Sequence, residues 1–178
     1  NQDKYNNVLE IGNVTNYYYD YFRQKIKSKV VVDKYENAYD VINEDICEYQ
    51  PKTKFDFVFS ISTFEHMDSD RGRNLEYRAG NSQLISNAAD NIKYVSDVLL
   101  DDECKLVITA PIGYASEWDA TLYYDEFKKC NFSKYEVYVY KKVSEIVWKQ
   151  VELPQRESAI YNYPLRGVNY LTIIEFEK

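Results

Sequence analysis

The chain has 178 residues, with 22 Lys plus Arg against 29 Asp plus Glu and a formal net charge of −7. That length is one ordinary domain, and 45% apolar with 29% charged residues excludes a disordered or fibrous chain. The acidic balance also argues against nucleic acid and anionic membrane surfaces as partners, since both are bound through clustered Lys and Arg.

Short apolar runs alternate with helical stretches, which predicts an α/β domain spanning residues 1–178 with a mostly parallel sheet. Residues 8–12 (VLEIG) read as a first strand ending in Gly12, followed over 16–27 by a Tyr-rich helix. Residues 29–33 (KVVVD) are a second strand whose β-branched run suits burial on both faces. A short third strand is expected near Val41 and Ile42, and a fourth over 54–62 (KFDFVFSIS). The polar stretch 68–81 reads as a loop. Over 82–100 apolar residues recur every three to four positions, the mark of a helix with one buried face. Residues 104–110 (CKLVITA) form a fifth strand stopped by Pro111, and 116–129 a helix capped by Ser116. Residues 135–143 and 170–177 alternate as late strands, expected to be antiparallel partners at one edge.

No run approaches the roughly 18 apolar residues of a membrane span, and the first 30 residues show no basic-then-apolar pattern. Cys47, Cys104 and Cys130 share no CxxC spacing, so reduced, buried thiols are expected rather than disulfides or a zinc cluster. These features predict a soluble, cytoplasmic protein. The first residue is Asn rather than Met, which suggests a piece of a longer polypeptide.

In an open α/β sheet, ligands bind beyond the carboxyl ends of the strands. Gly12 would let the backbone turn tightly there, and Asp33, with Lys34 beside it, lies near the spacing from Glu10 at which an acid reaches ribose hydroxyls. After the third strand, Asp45 could accept from an exocyclic amine while Ile46 covers a base. Three acids, Glu10, Asp33 and Asp45, at successive strand ends suit a neutral or cationic nucleoside. They suit a pyrophosphate poorly, and the turn after Gly12 lacks the further glycines of a dinucleotide fingerprint.

As a set, VLEIG, Asp33, Glu44-Asp45-Ile46 and FDFVFSISTFEHM resemble the class I S-adenosylmethionine-dependent methyltransferases. The resemblance implies their Rossmann-like fold, a seven-stranded sheet with helices on both faces, and S-adenosyl-L-methionine as cofactor. It departs at the glycine loop, where Asn13 and Val14 replace the flexible part. Within that family the order of motifs, with the later TAPIGY, resembles compact sugar and glycan O-methyltransferases, including methyltransferase domains of multidomain chlorovirus proteins that build capsid glycans. That implies a viral domain in the host cytoplasm, fused to glycosyltransferase domains, with a sugar hydroxyl as acceptor, such as one on a deoxyhexose.

On this resemblance the cofactor would be held by Glu10, Gly12, Asn13, Asp33, Lys34, Asp45, Ile46, Ser60 and Ser62, with Thr63 beside them. A hydroxyl of Tyr17, Tyr18 or Tyr19 could substitute for missing glycine-loop amides, at least two of these rings packing in the core. His66, the one histidine, titrates in the range that suits removal of a hydroxyl proton. Asp68 and Asp70 are alternative bases, and no metal is expected because they offer too few oxygens to complete a shell. Arg71, Arg73 and Arg78 could hold an anionic acceptor, and Tyr114 and Trp118 could stack on a sugar ring. The same residues leave two other functions open: a non-catalytic binding module, and methylation of an amine.

Overall fold

The computed structural model of the chain describes residues 5–18, 28–64, 91–112, 130, 132–154, 159, 165 and 168–178. Among the described residues, seven strands form one sheet: β1 (Val8–Ile11), β2 (Val30–Val32), β3 (Phe55–Ile61), β4 (Leu100–Ile112), β5 (Lys134–Ser144), β6 (Val147–Val151) and β7 (Tyr170–Glu177). Their order across the sheet is β2-β1-β3-β4-β7-β5-β6. β2, β1, β3 and β4 run parallel, whereas β7, β5 and β6 add antiparallel pairings. The sheet is therefore parallel on the side that carries β1 and β2 and antiparallel on the other.

The expected number of strands is met in an unexpected way. The third strand of the sequence reading is a single parallel bridge between Val32 and Ile42. Its neighbours explain why it goes no further. Asp40 sits at φ 61°, and the Asn43 amide donates to the carbonyls of Asp33 and Lys34, so the chain turns on both sides of Ile42. The count is restored by β6, which pairs with β5 around a turn at Glu145 and Ile146. Sequence reading missed it because all five of its residues are exposed, so it carries no inward-outward alternation. β5 and β7 are antiparallel partners as expected, but β6 lies outside them.

Pro111 does not stop its strand. The carbonyl of Thr109 accepts the Ser62 amide, so Pro111, two residues on, turns its nitrogen to the same side, where pairing with β3 has ended at Ile61. A missing donor costs nothing there, and β4 continues to Ile112 against β7. The preceding helix ends at Leu99 and β4 begins at once, because buried Leu100 pairs with Phe55. The exposed acids Asp101, Asp102 and Glu103 bulge out before pairing resumes at Lys105.

The main core packs Leu9 and Ile11 of β1, Val58 of β3, Leu106 and Ile108 of β4 and Ile174 and Phe176 of β7 against Ile92, Val95 and Leu99. A fully buried aliphatic side chain of this kind contributes about 1.5–3 kcal/mol. Residues 91–94 are helical and lead into a π-helical turn, Val95–Leu99, and a 3-10 turn (Thr15–Tyr18) follows β1. The rest of the helices expected over 16–27, 82–100 and 116–129 falls mostly outside the described residues. Of the three cysteines Cys104 is buried, its thiol pushed up to about 11 chiefly by burial, while Cys47 and Cys130 are only half-buried. Among the described residues, no helix is long and apolar enough to cross a membrane.

Candidate functional site

The carboxyl ends of β1, β2 and β3 open onto a cavity of about 260 Å³, near the lower end of the ~300–1,000 Å³ usual for small-molecule sites. Six of the nine residues assigned to the cofactor from the sequence line it, Gly12, Asp33, Lys34, Asp45, Ile46 and Ser62, together with Glu44 and Thr63, which are named beside them. Among the described residues, Ile11, Val32, Tyr35 and Asn91 also line it.

Gly12 is indispensable to this geometry for two reasons. Its φ is +88°, and a Cβ built there would lie 2.1 Å from Thr63 Oγ1, a close approach between the β1 turn and the end of β3 that only hydrogen permits. Gly12→Ala is therefore expected to cost about 1–3 kcal/mol of stability in denaturant unfolding. A Thr63→Ala background should recover most of the steric part, keeping only the 2.9 Å approach of the residue-63 Cβ, and leave the backbone strain. A loss under roughly 0.5 kcal/mol in the single variant would contradict the packed approach.

Asp33 is held from both sides. Its Oδ2 accepts the Asn13 N–H at 3.1 Å, and its Oδ1 accepts those of Tyr35 at 2.9 Å and Glu36 at 3.0 Å. A carboxylate has about four acceptor sites. Three are used by amides, which aims the group and leaves Oδ2 able to take one further donor. The expectation that it would receive two ribose hydroxyls is thus narrowed to one strong bond.

Asp45 lines the same cavity, but it is not a bare acid. Its Oδ1 accepts the Cys47 N–H at 3.0 Å, and its Oδ2 pairs with Lys34 Nζ at 2.9 Å. Lys34 is well exposed and also sits 5.6 Å from the centre of the Tyr35 ring. Such a solvated pair contributes little stability, but it tempers the charge of the wall. Asp33, Glu44 and Asp45 face the cavity against Lys34, so the surplus remains negative.

Three residues assigned to cofactor binding lie elsewhere. Glu10 is fully buried and does not line the cavity. Its Oε1 accepts the N–H of Val14 at 2.9 Å and of Thr15 at 2.7 Å, while Oε2 receives the Thr15 hydroxyl and pairs with Lys29. The carboxylate is consumed in shaping the turn after β1. Ser60 is fully buried, with its hydroxyl donating to the Ile11 carbonyl at 3.0 Å, so it ties β3 to β1. Asn13 contributes its backbone to Asp33 and lines a neighbouring groove with Tyr17, Glu36 and Tyr39.

The tyrosines after β1 also differ from expectation. Tyr17 is 72% exposed and Tyr18 61%, so these two rings do not pack in the core. The Tyr17 hydroxyl donates to Glu36 Oε1 at 2.6 Å, and that bond, with the Glu36 charge, holds it above the usual phenol range. Tyr19, His66, Asp68, Asp70, Arg71, Arg73, Arg78, Tyr114 and Trp118 lie outside the described residues.

Sequence reading missed Tyr35 and Asn91. Tyr35 could have been found as an aromatic two places beyond Asp33. Asn91 carries no signal, since only packing brings its helical turn to the cavity.

No protein-family model matches the sequence, and no curated protein matches it. Solved structures match its fold. A SAM-dependent methyltransferase from Archaeoglobus fulgidus superposes with a TM-score of 0.59 at 15% identity, covering 97% of this chain and 86% of that one. The N-methyltransferase NodS from Bradyrhizobium japonicum WM9, in complex with S-adenosyl-L-homocysteine, gives 0.52 at 11% identity over 98% of this chain and 78% of its own. The 1,6-didemethyltoxoflavin-N1-methyltransferase from Burkholderia thailandensis, with S-adenosylhomocysteine bound, gives 0.55 at 12% identity over 97% and 71%. The fold is therefore the Rossmann-like class I methyltransferase fold, with its seven-stranded sheet.

Proposed function

We propose that this chain is an S-adenosylmethionine-dependent methyltransferase whose cofactor lies in the cavity at the ends of β1, β2 and β3. The observation that carries the reading is Asp33, a carboxylate fixed by three backbone amides at the end of β2, beside a glycine cradle that a Cβ would fill. In such a pocket Asp33 would accept a ribose hydroxyl, Ile46 would cover the base, and Asp45 would accept from its amine. The negative surplus of the wall favours a cation over a pyrophosphate. Bound there, S-adenosylmethionine supplies a methyl group on a sulfonium, an electrophile that asks for in-line approach of a nucleophile and loss of its proton.

The acceptor in this proposal is a sugar hydroxyl of a glycan, supported by the motif order from VLEIG to TAPIGY. His66 follows β3 in the chain and is our choice of base, with Asp68 as the nearby alternative. Arg71, Arg73, Tyr114 and Trp118 would orient the sugar. A second reading, an amine acceptor, is favoured by the acidic wall and by the N-methyltransferases among the matching folds.

Calorimetry with S-adenosylhomocysteine tests the cofactor. Binding at micromolar concentration is expected, and no heat at high micromolar ligand would defeat the proposal. Mass gain across a panel of saccharides and amines separates the acceptors. With cofactor saturating at neutral pH, His66→Ala should lower turnover roughly 10²–10⁴-fold. Retention of most turnover would remove His66 as the base.

A further inference from the structure

Between the segments that follow β1 and β2 lies a second hollow, a groove of about 310 Å³ that shares no described lining residue with the cavity. Asn13, Asn16 and Tyr17 reach it from the β1 side, and Glu36, Tyr39 and Asp40 from the β2 side. Asn13 is only 6% exposed, and its Oδ1, shut off from solvent, has no hydrogen-bond partner among the described residues. A buried orphan of this kind calls for a partner that the chain itself does not supply. Asp40 is the second oddity. It stands at φ 61° in a turn closed by the Val41 N–H on the Ala38 carbonyl at 3.2 Å, a place where glycine would be free of strain.

We propose that this groove binds a neutral saccharide. A pyranose has an apolar face of C–H groups that packs on an aromatic ring, and a rim of hydroxyls that each donate and accept. The groove offers a match to both. Tyr17, 72% exposed, has its ring fixed by the hydroxyl bond to Glu36 Oε1 at 2.6 Å, and Tyr39 is 91% exposed. Glu36 Oε2 and the Asp40 carboxylate are left to accept from sugar hydroxyls. Asn16 spends its Oδ1 on Lys29 Nζ at 3.0 Å, which leaves its amide N–H groups as donors. A small turn of the Asn13 amide would bring its oxygen to a further hydroxyl. Other ligand classes fit less well. An anion would meet Glu36 and Asp40 as like charges, and an apolar molecule would strip water from four polar side chains without replacing it. An ammonium suits the two carboxylates but has no acceptor for the Asn16 donors. The proposal does not depend on the cofactor reading, since the groove can hold a sugar whatever fills the cavity.

The test is saturation-transfer NMR on the whole chain with the methyl glycosides of rhamnose, fucose, xylose, mannose and galactose, and with choline as a cationic control. Each is measured with and without excess S-adenosylhomocysteine, whose own binding is followed in the same samples. At least one glycoside should receive saturation in both conditions. Asp40→Gly should weaken that glycoside about tenfold or more, although its thermal midpoint should not fall, because glycine takes this backbone without strain. Tyr39→Ala, at a fully solvated ring, should weaken it several-fold with an unchanged melting curve. No transfer to any glycoside, transfer to choline alone, or a glycoside whose affinity neither variant alters would overturn the proposal. Sugar binding without S-adenosylhomocysteine binding supports the groove and removes the cofactor reading. The reverse result removes the groove alone.

Discussion

Replacing Lys29 by Met is expected to destabilise the fold by about 3–5 kcal/mol, because it strips the counter-ion from a carboxylate that has no access to water. Glu10 is 0% exposed and Lys29 is 14% exposed at its side chain. The ammonium also donates to Thr15 Oγ1 at 2.6 Å and to Asn16 Oδ1 at 3.0 Å, so it holds the turn after β1 as well as the acid. Glu10→Leu should cost at least as much, since it orphans the amides of Val14 and Thr15 together with the half-buried ammonium. The double variant Glu10→Leu, Lys29→Met should lose much less than the sum of the single changes, because no uncompensated charge then remains. Urea unfolding of the four proteins gives the comparison. Additive losses, or a Lys29→Met effect below about 1 kcal/mol, would mean the pair is not the buried node described.

Asp33→Ala is expected to weaken S-adenosylhomocysteine binding between roughly 10-fold and 150-fold, the worth of a hydrogen bond to a charged acceptor. Part of the loss is direct, through the ribose hydroxyl. The rest comes from freeing the amides of Asn13, Tyr35 and Glu36, which lets the turns after β1 and β2 drift apart. Asp33→Asn separates the two contributions: it keeps a carbonyl oxygen for the turns while surrendering the charge, so its loss should be intermediate. The effects are read by titration calorimetry at one ionic strength. If Asp33→Ala binds as tightly as the unaltered chain, the nucleoside does not lie against β2.

These two acids show how the site was and was not legible in the sequence. Asp33 follows a β-branched run, and the residue just beyond a buried parallel strand lies at the edge where ligands bind. Its place in the cavity wall could be read from position alone. Glu10 is one residue before the end of its own strand, and its side chain points into the protein, where Lys29, 19 residues later, meets it. Nothing in the local pattern distinguishes an acid aimed at a ligand from one that caps a turn. Ser60 and Ser62 repeat the point. Ser60, one residue before the end of β3, bonds inward to Ile11, while Ser62, just past that end and at φ 46°, reaches the cavity. Asn91 lies further still from local inference, because only packing brings it to the cavity wall.

Sequence alone determined the β1, β2 and β3 strands, the turn at Gly12, and the choice of Asp33, Asp45, Ile46 and Ser62 as cavity residues. These follow from period, composition and chain direction, which act over a few residues. Only the tertiary structure decided that Glu10 is an internal counter-ion, that Pro111 can sit within a strand, that a hairpin strand completes the sheet, and that Asn91 joins the wall. Each of those depends on which groups meet across the sheet. The energy of a buried charge, a lost donor or an amide is set by the partner it finds there and not by its neighbours in the chain.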